Sequence, residues 1–237
     1  MKNTYILLVA GKGNNLEPLT LKYPKTSYLI SKDNTVLQSL VSSIRRFDKD
    51  SEIVAVLGYQ AEIVKEELEK YNVKFVYNPF YQVTGSISSL WFAKEYLERE
   101  NVTILNGDLV FSEKLFEKVI TKHTDIPYIL VDSSFIDNKF YNVVTDKDRI
   151  MVMSKKLTKI DARYCGVVKL DPVSSRLLKK EVNDMVFSNM FDLYFEDALS
   201  QMIVFDNFSL FYSDVKGEEW TEINDVDDLL QAKKIIK

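Results

Sequence analysis

Leu8-Val9-Ala10-Gly11-Lys12-Gly13-Asn14-Asn15-Leu16-Glu17-Pro18-Leu19-Thr20, continuing to Tyr23-Pro24-Lys25, is the stretch on which the reading of this chain turns. The apolar run Tyr5–Ala10 ends abruptly in glycines and a lysine. Glycines after a strand let backbone N–H groups face an anion with no Cβ in the way, and a lysine adds a point charge for phosphate. The segment therefore predicts a buried strand that delivers a phosphate-cradling loop. Two better-known glycine loops fit poorly. A Walker loop needs G-x-x-x-x-G-K-[ST], which does not occur. A dinucleotide fingerprint needs Gly or Ala where Leu16 stands, and an unbroken helix where Pro18 and Pro24 fall. A tight turn made by Gly11 and Gly13 alone is the plain alternative, and the longer string around them weighs against it.

Outward from this loop, short β-rich runs alternate with stretches of helical period, the pattern of βαβ units. Strands are predicted at Tyr5–Ala10, Glu52–Leu57, Lys74–Tyr77, Val102–Leu105 and Tyr128–Asp132, and helices at Thr35–Phe47, Ala61–Tyr71, Ser86–Leu97 and Glu113–Lys122. Val36, Leu37, Leu40, Val41 and Ile44 show the spacing of one apolar helix face. The second half reads differently: Phe140–Thr145, Arg149–Met153 and Tyr164–Leu170 look like a meander, with Asp146-Lys147-Asp148 as its first turn. Helices at Pro172–Glu181 and Leu193–Met202, a strand Leu210–Ser213 and a helix Val226–Ile236 follow, the last capped by Asn224 or Asp225. The expectation is α/β: a single domain over 1–237, three-layer α/β/α with a mainly parallel, Rossmann-like mixed sheet and a small antiparallel insertion at about 138–170.

The 237 residues are 46% hydrophobic, enough for an extensive core. A net charge of −4 with both signs mixed along the chain provides no basic face for a nucleic-acid polymer. Cys165 is the only cysteine, so neither an intrachain disulfide nor a multi-thiolate metal site can form, and a reducing, cytoplasmic setting is expected. Gly11 and Lys12 interrupt the first apolar run before it could become a signal segment, and no run approaches the ~20 apolar residues of a membrane span. His123 reads as a surface residue, Cys165 as a small packed side chain, and the charges from Lys65 to Lys70 as an exposed helix face.

The glycine stretch resembles the signature of the nucleotidyltransferases that build sugar nucleotides and CDP-activated small molecules, roughly L-A-A-G-x-G-x-R-L-x-P-L-T-x-x-x-P-K. Leu8 to Gly13, Leu16, Pro18-Leu19-Thr20 and Pro24-Lys25 fall in register with it. Gly58-Tyr59-Gln60-Ala61-Glu62, Asn78-Pro79-Phe80-Tyr81, Ser88-Ser89-Leu90-Trp91, Asn106-Gly107-Asp108, Tyr194 to Ala198 and Trp220 to Asn224 extend the likeness. They point to the branch that includes phosphocholine, aminoethylphosphonate and phosphoglutamine cytidylyltransferases. The resemblance implies an enzyme that joins CTP to a small phosphorylated or phosphonate acceptor, releases pyrophosphate, and serves surface polysaccharide or lipid decoration. It implies nucleotide contacts from Val9, Ala10, Gly11, Lys12, Gly13, Asn14, Asn15 and Gln60, with base or ribose contacts from Thr84, Gly85 and Ser86. The signature arginine, which reaches the β- and γ-phosphates, is replaced by Asn15, and Lys12 is the residue able to compensate.

Asp108 follows the predicted strand Val102–Leu105, so it should emerge at a strand's carboxyl end, where open α/β sheets bind ligands. Mg²⁺ takes hard oxygen ligands, often only one or two from protein. Asp108 supplies one. The resemblance places the second in Glu222-Ile223-Asn224, with Asn224 preferred and Glu222 or Asp225 as substitutes; Asn224 or Asp225 would otherwise simply cap the last helix. An acceptor phosphate is already anionic, with a second pKa near ~6, so in-line attack needs no side-chain base. Catalysis would rest on positioning and charge neutralisation by Lys25, Lys12, the metal and the loop amides. Lys25 stands nearest the phosphates by family analogy. For the acceptor, Tyr81, Trp91, Tyr194 and Trp220 could cage a choline cation, Arg163 could pair with a carboxylate, and Glu196 or Asp197 could hold an amine. A homodimer is compatible with this reading. Two other functions stay open: a sugar-1-phosphate nucleotidyltransferase, and a regulator that binds nucleotide without turnover. An Asp-x-Asp glycosyltransferase is disfavoured by Asp108-Leu109-Val110.

Overall fold

The computed structural model describes residues 2–120 and 123–236. The first half runs β1 (Asn3–Leu8), α1 (Val36–Phe47), β2 (Glu52–Leu57), α2 (Ala61–Leu68), β3 (Lys74–Tyr77), α3 (Ser86–Phe92), β4 (Asn101–Asn106), β5 (Leu109–Phe111), α4 (Glu113–Leu115) and β6 (Tyr128–Asp132). The second half continues with β7 (Asn142–Asp146), β8 (Arg149–Ser154), β9 (Ala162–Leu170), α5 (Pro172–Phe187), α6 (Phe195–Phe205), β10 (Phe211–Asp214), β11 (Trp220–Glu222) and α7 (Val226–Ile235). Thr121 and Lys122, the end of the helix expected at Glu113–Lys122, lie outside the described residues.

Local chemistry explains where the helices begin. Thr35 and Gln38 form a reciprocal capping box that satisfies two amides at the start of α1, and Val36, Leu37, Leu40, Val41 and Ile44 are its buried face. Asp171 caps α5, with Pro172 in the first turn, where a missing N–H does no harm. The α5 helix runs on to Phe187, past the expected end at Glu181, because Val182 and Met185 continue the apolar stripe of Leu178. Asp225, rather than Asn224, caps α7 in a box with Asp228.

One sheet of nine strands has the order β3-β2-β1-β4-β9-β6-β10-β8-β7. The β1 strand lies between β2 and β4, parallel to both, with Tyr5 opposite Ile53 and Thr103. Its side chains alternate: Tyr5 and Leu7 enter one apolar cluster, with α1 residues, and Ile6 enters the other, with residues of α5 and α6. The sheet is more mixed than expected. Parallel pairing is confined to β3-β2-β1-β4 and to β6 with β10, and β9 enters antiparallel between β4 and β6. That position corrects the reading of Tyr164–Leu170 as part of an antiparallel insertion, since the strand lies inside the main sheet. All nine residues of β9 are buried, so it can only be an interior strand. The β7–β8 hairpin lies at the sheet's edge, and β7 also pairs with β9.

The sequence reading missed β5 and β11. They form a separate two-stranded antiparallel sheet, pairing Trp220 with Phe111, Thr221 with Val110 and Glu222 with Leu109. Three residues are too few to show a period. Among the described residues no helix is long and apolar enough to cross a membrane.

Candidate active site

A cavity of about 1020 Å³ opens at the carboxyl ends of β1 and β4. Chain direction puts it there: β1 delivers the glycine loop and β4 delivers Asp108, and the Gly107 N–H donates to the Leu8 carbonyl at 3.0 Å, holding the two strand ends together. Val9, Ala10, Gly11, Gly13, Asn14 and Asn15 all line the cavity. Gly13 has φ +75°, a left-handed conformation, and a Cβ on it would come within 2.9 Å of Lys25 Cδ. The loop therefore wraps the stem of Lys25, and only glycine allows both the turn and the approach.

Lys25 is the hub of the site. Its ammonium is ion-paired with Asp108 Oδ2 and donates to the Ile223 carbonyl at 3.2 Å. Burial works against its charge, but Asp108 outweighs that and holds the ammonium above its ordinary range. The β5–β11 ladder brings the late motif to this point. The Ile223 N–H donates to the Asp108 carbonyl at 3.0 Å, so Glu222 shares the cavity with Asp108. Burial and the facing Asp108 charge push the Glu222 carboxyl up, with Lys25 and Arg163 opposing.

Buried Asp108 and half-buried Glu222, in a cavity also lined by Asn224, offer the hard oxygen donors that suit a divalent cation. No group of three His, Cys, Asp or Glu side chains fit for a metal occurs among the described residues. Mg²⁺ commonly takes one or two protein carboxylates and completes its shell with phosphate and water, and Asp108 and Glu222 are donors of that kind. Asp225, the alternative ligand, lines the cavity but spends its carboxylate on the α7 cap.

The rest of the cavity assembles from distant segments. Thr84, Gly85 and Ser86 line the cavity and are pinned to the 191–195 loop: Gly85 N–H donates to Phe191 O at 3.0 Å, and Phe195 N–H to Ser86 Oγ at 3.0 Å. A Cβ at Gly85 would run into the Leu193 carbonyl. This contact carries Tyr194 and Glu196 into the cavity, where Tyr81 and Arg163 also face. Burial pushes the Glu196 carboxyl up to about 8, and one of its oxygens has no hydrogen-bond partner. Arg163 is committed to Glu222, Nη2 to Oε2 at 2.7 Å, with its guanidinium 3.6 Å from the Phe140 ring centre and 4.9 Å from that of Trp220.

Five residues expected at the site are not in the cavity lining, among them Asp197, which accepts from the Tyr194 amide at 3.0 Å at the start of α6. Lys12 is ion-paired with Glu17 at 2.6 Å, outside the cavity lining. Gln60 sits at the start of α2 with its amide directed to Tyr59 and Leu21. Trp91 donates to Asn183 at 3.1 Å and packs against Phe92 and Phe187. Trp220 donates to Asp132 at 2.8 Å, stacks on Phe111 and lies 4.9 Å from the Arg163 guanidinium. Conversely, Tyr141, Tyr164, Lys155 and Asp192 line the cavity and were not anticipated. Tyr141 and Tyr164 begin or sit within apolar runs and read as core; Lys155 follows a hairpin strand and reads as surface.

The family described as Nucleotidyl transferase matches residues 4–149 of this chain. CTP:phosphoglutamine cytidylyltransferase of Campylobacter jejuni subsp. jejuni is 25% identical to it over 256 residues, covering 94% of this chain and 96% of that one. Choline-phosphate cytidylyltransferase of Streptococcus pneumoniae is 24% identical over 238 residues, covering 98% and 97%. A solved structure of CTP:phosphocholine cytidylyltransferase from Streptococcus pneumoniae shares the fold with a TM-score of 0.80 over the whole of both chains, at 18% identity.

Proposed function

This chain belongs to the nucleotidyl transferase family, and from that premise we propose that it is a Mg²⁺-dependent cytidylyltransferase acting on a small phosphorylated acceptor. The observation that carries the reading is the Lys25–Asp108 pair, wrapped by the glycine loop and sharing one cavity with Glu222. The preference for CTP is supported by the two cytidylyltransferases that align with the chain almost end to end. An acceptor phosphate oxygen attacks the α-phosphorus of CTP; the new P–O bond forms as the bond to the β-phosphate oxygen breaks, and pyrophosphate leaves.

The protein's task in this step is to position and neutralise. Amides at Gly11 and Gly13 face the polyphosphate, and Lys25 supplies a fixed positive charge beneath them. Asp108 and Glu222, with Asn224 alongside, would hold the metal, which when bound supplies charge neutralisation on the phosphates. Arg163, clamped between Phe140 and Trp220, fixes the orientation of Glu222. We assign this chemistry to a single three-layer α/β/α domain, supported by the apolar clusters on both faces of the sheet. A cytoplasmic setting fits the buried free thiol of Cys165.

The test is pyrophosphate release with Mg²⁺, each of the four NTPs being paired with phosphocholine, aminoethylphosphonate, phosphoglutamine and glucose-1-phosphate, and Asp108→Ala as control. CTP with a non-sugar acceptor should turn over. Activity confined to glucose-1-phosphate would instead make it a sugar-1-phosphate enzyme, and nucleotide binding without turnover by any pair would make it a regulator.

A further inference from the structure

Lys155, just beyond β8, places its ammonium 3.8 Å from the ring centre of Tyr194 and 5.2 Å from that of Tyr141. The two rings meet edge to face, 5.7 Å apart at 74°. All three residues line the same cavity as Lys25 and Asp108, next to Glu196. Two aromatic faces turned to one ammonium make a cation site, and here the cation is the chain's own. Lys155 makes no hydrogen bond or ion pair with any described residue, and the two aromatic faces are the partners of its ammonium. Its ammonium therefore keeps three unused donors inside a cavity built for a ligand.

A second cation brought to this place would meet like charge at close range, where the partly buried setting weakens solvent screening. An anionic group would instead find a positioned ammonium with its donors free, for a charge-assisted hydrogen bond. Arg163 gives one nitrogen, Nη2, to Glu222, so its charge is already shared with that carboxylate. Burial keeps Glu196 largely protonated near neutral pH, so it adds little negative charge against such a group.

We infer that Lys155 is a specificity-determining residue: it fills the Tyr141–Tyr194 cation site and reads a carboxylate at the end of the acceptor distant from its phosphate, excluding acceptors that end in a quaternary ammonium. The inference rests on the cavity being the acceptor site of a nucleotidyl transfer. It is tested by calorimetric binding of a matched pair of probes, 3-phosphonooxypropanoate and phosphocholine, in buffer alone and with Mg²⁺ and the unreactive analogue α,β-methylene CTP. The native protein should bind the carboxylate probe at least ~10-fold more tightly than phosphocholine. Lys155→Met should reverse that order, and Lys155→Arg should keep it. Lys155 is half-buried after a strand end, so both variants should melt with the parent protein. Equal or tighter binding of phosphocholine by the native protein, an equal loss of both probes in Lys155→Met, or no binding of either probe in either buffer overturns the inference. Pyrophosphate release separates the two readings. The predicted preference without turnover on any acceptor defeats the transferase and leaves the carboxylate site standing, whereas efficient turnover of phosphocholine by the native protein does the reverse.

Discussion

Lys25 and Lys12 flank the same glycine loop, yet the structure gives them opposite surroundings. Lys25 is packed under Gly13 against Asp108, and Lys12 is half-exposed and held by Glu17. On the proposed function, in which Lys25 meets the reacting phosphates, its loss should cost ~10²–10³ in kcat, the usual scale for one electrostatic contact in a closed site. Steady-state pyrophosphate assays of Lys25→Ala should show that loss, and Lys12→Ala should stay within about 10-fold of the parent. The opposite ranking would show that the loop rearranges to recruit Lys12. Glu196 supports a second prediction at this scale. Its folded pKa, raised to about 8 from 4.5, means that between these values the native state holds a proton that the unfolded chain has released. Stability therefore falls as pH rises through this window and the penalty is complete above pH 8. Glu196→Gln cannot ionise, so it should melt close to the parent at pH 5 and several degrees above it at pH 8.5. Thermal denaturation at the two pH values checks this, and an identical pH slope in both proteins would refute the burial argument.

At the scale of the element, the β5–β11 ladder and the start of α7 matter most, because they join a segment near residue 108 to one near residue 222. The β11 strand sets Glu222 beside Asp108, and α7 then begins at once, with Asp225 and Asp228 bonding each other's backbone amides. Asp225 lines the cavity, so it has two candidate roles, cap or metal ligand. An N-cap is worth about 1 kcal/mol, or roughly 2–4 °C in a chain of this size. If Asp225 is only the cap, Asp225→Ala should lose that much and retain more than a tenth of the activity, while Asp225→Ser, which caps equally well, should recover the melting temperature. Activity lost in both variants, whatever their stability, would make the carboxylate a ligand.

For the whole molecule, the site exists only in the folded state, since its parts come from β1, β4, β9, β11 and the loop before α6. A nucleotide that binds only the native chain stabilises it by ~2.7 kcal/mol at one hundred times its Kd. CTP with Mg²⁺ should thus raise the melting temperature by roughly 5–10 °C; chelation by EDTA, or Asp108→Ala, should remove most of the rise. A full shift in EDTA would mean that the nucleotide binds without the metal. The glycine loop, the strands β2, β3 and β6 and a cap at Asn224 or Asp225 belong to the sequence by itself, because each depends on neighbours a few residues away: a φ that glycine adopts without strain, an alternating or buried run, a side chain bonding an amide three residues on. The nucleotidyl transferase family could be recognised for the same reason, its motifs being local strings. What only the tertiary structure decided is non-local. It placed β9 inside the sheet, where nine buried residues could have suited any interior position; it moved Trp91, Trp220, Gln60 and Lys12 off the cavity by giving them nearer partners; and it put Lys155 between Tyr141 and Tyr194. A side chain's residue type fixes what it can bond to, but which partner comes within reach is set by the packing of segments far apart in the chain.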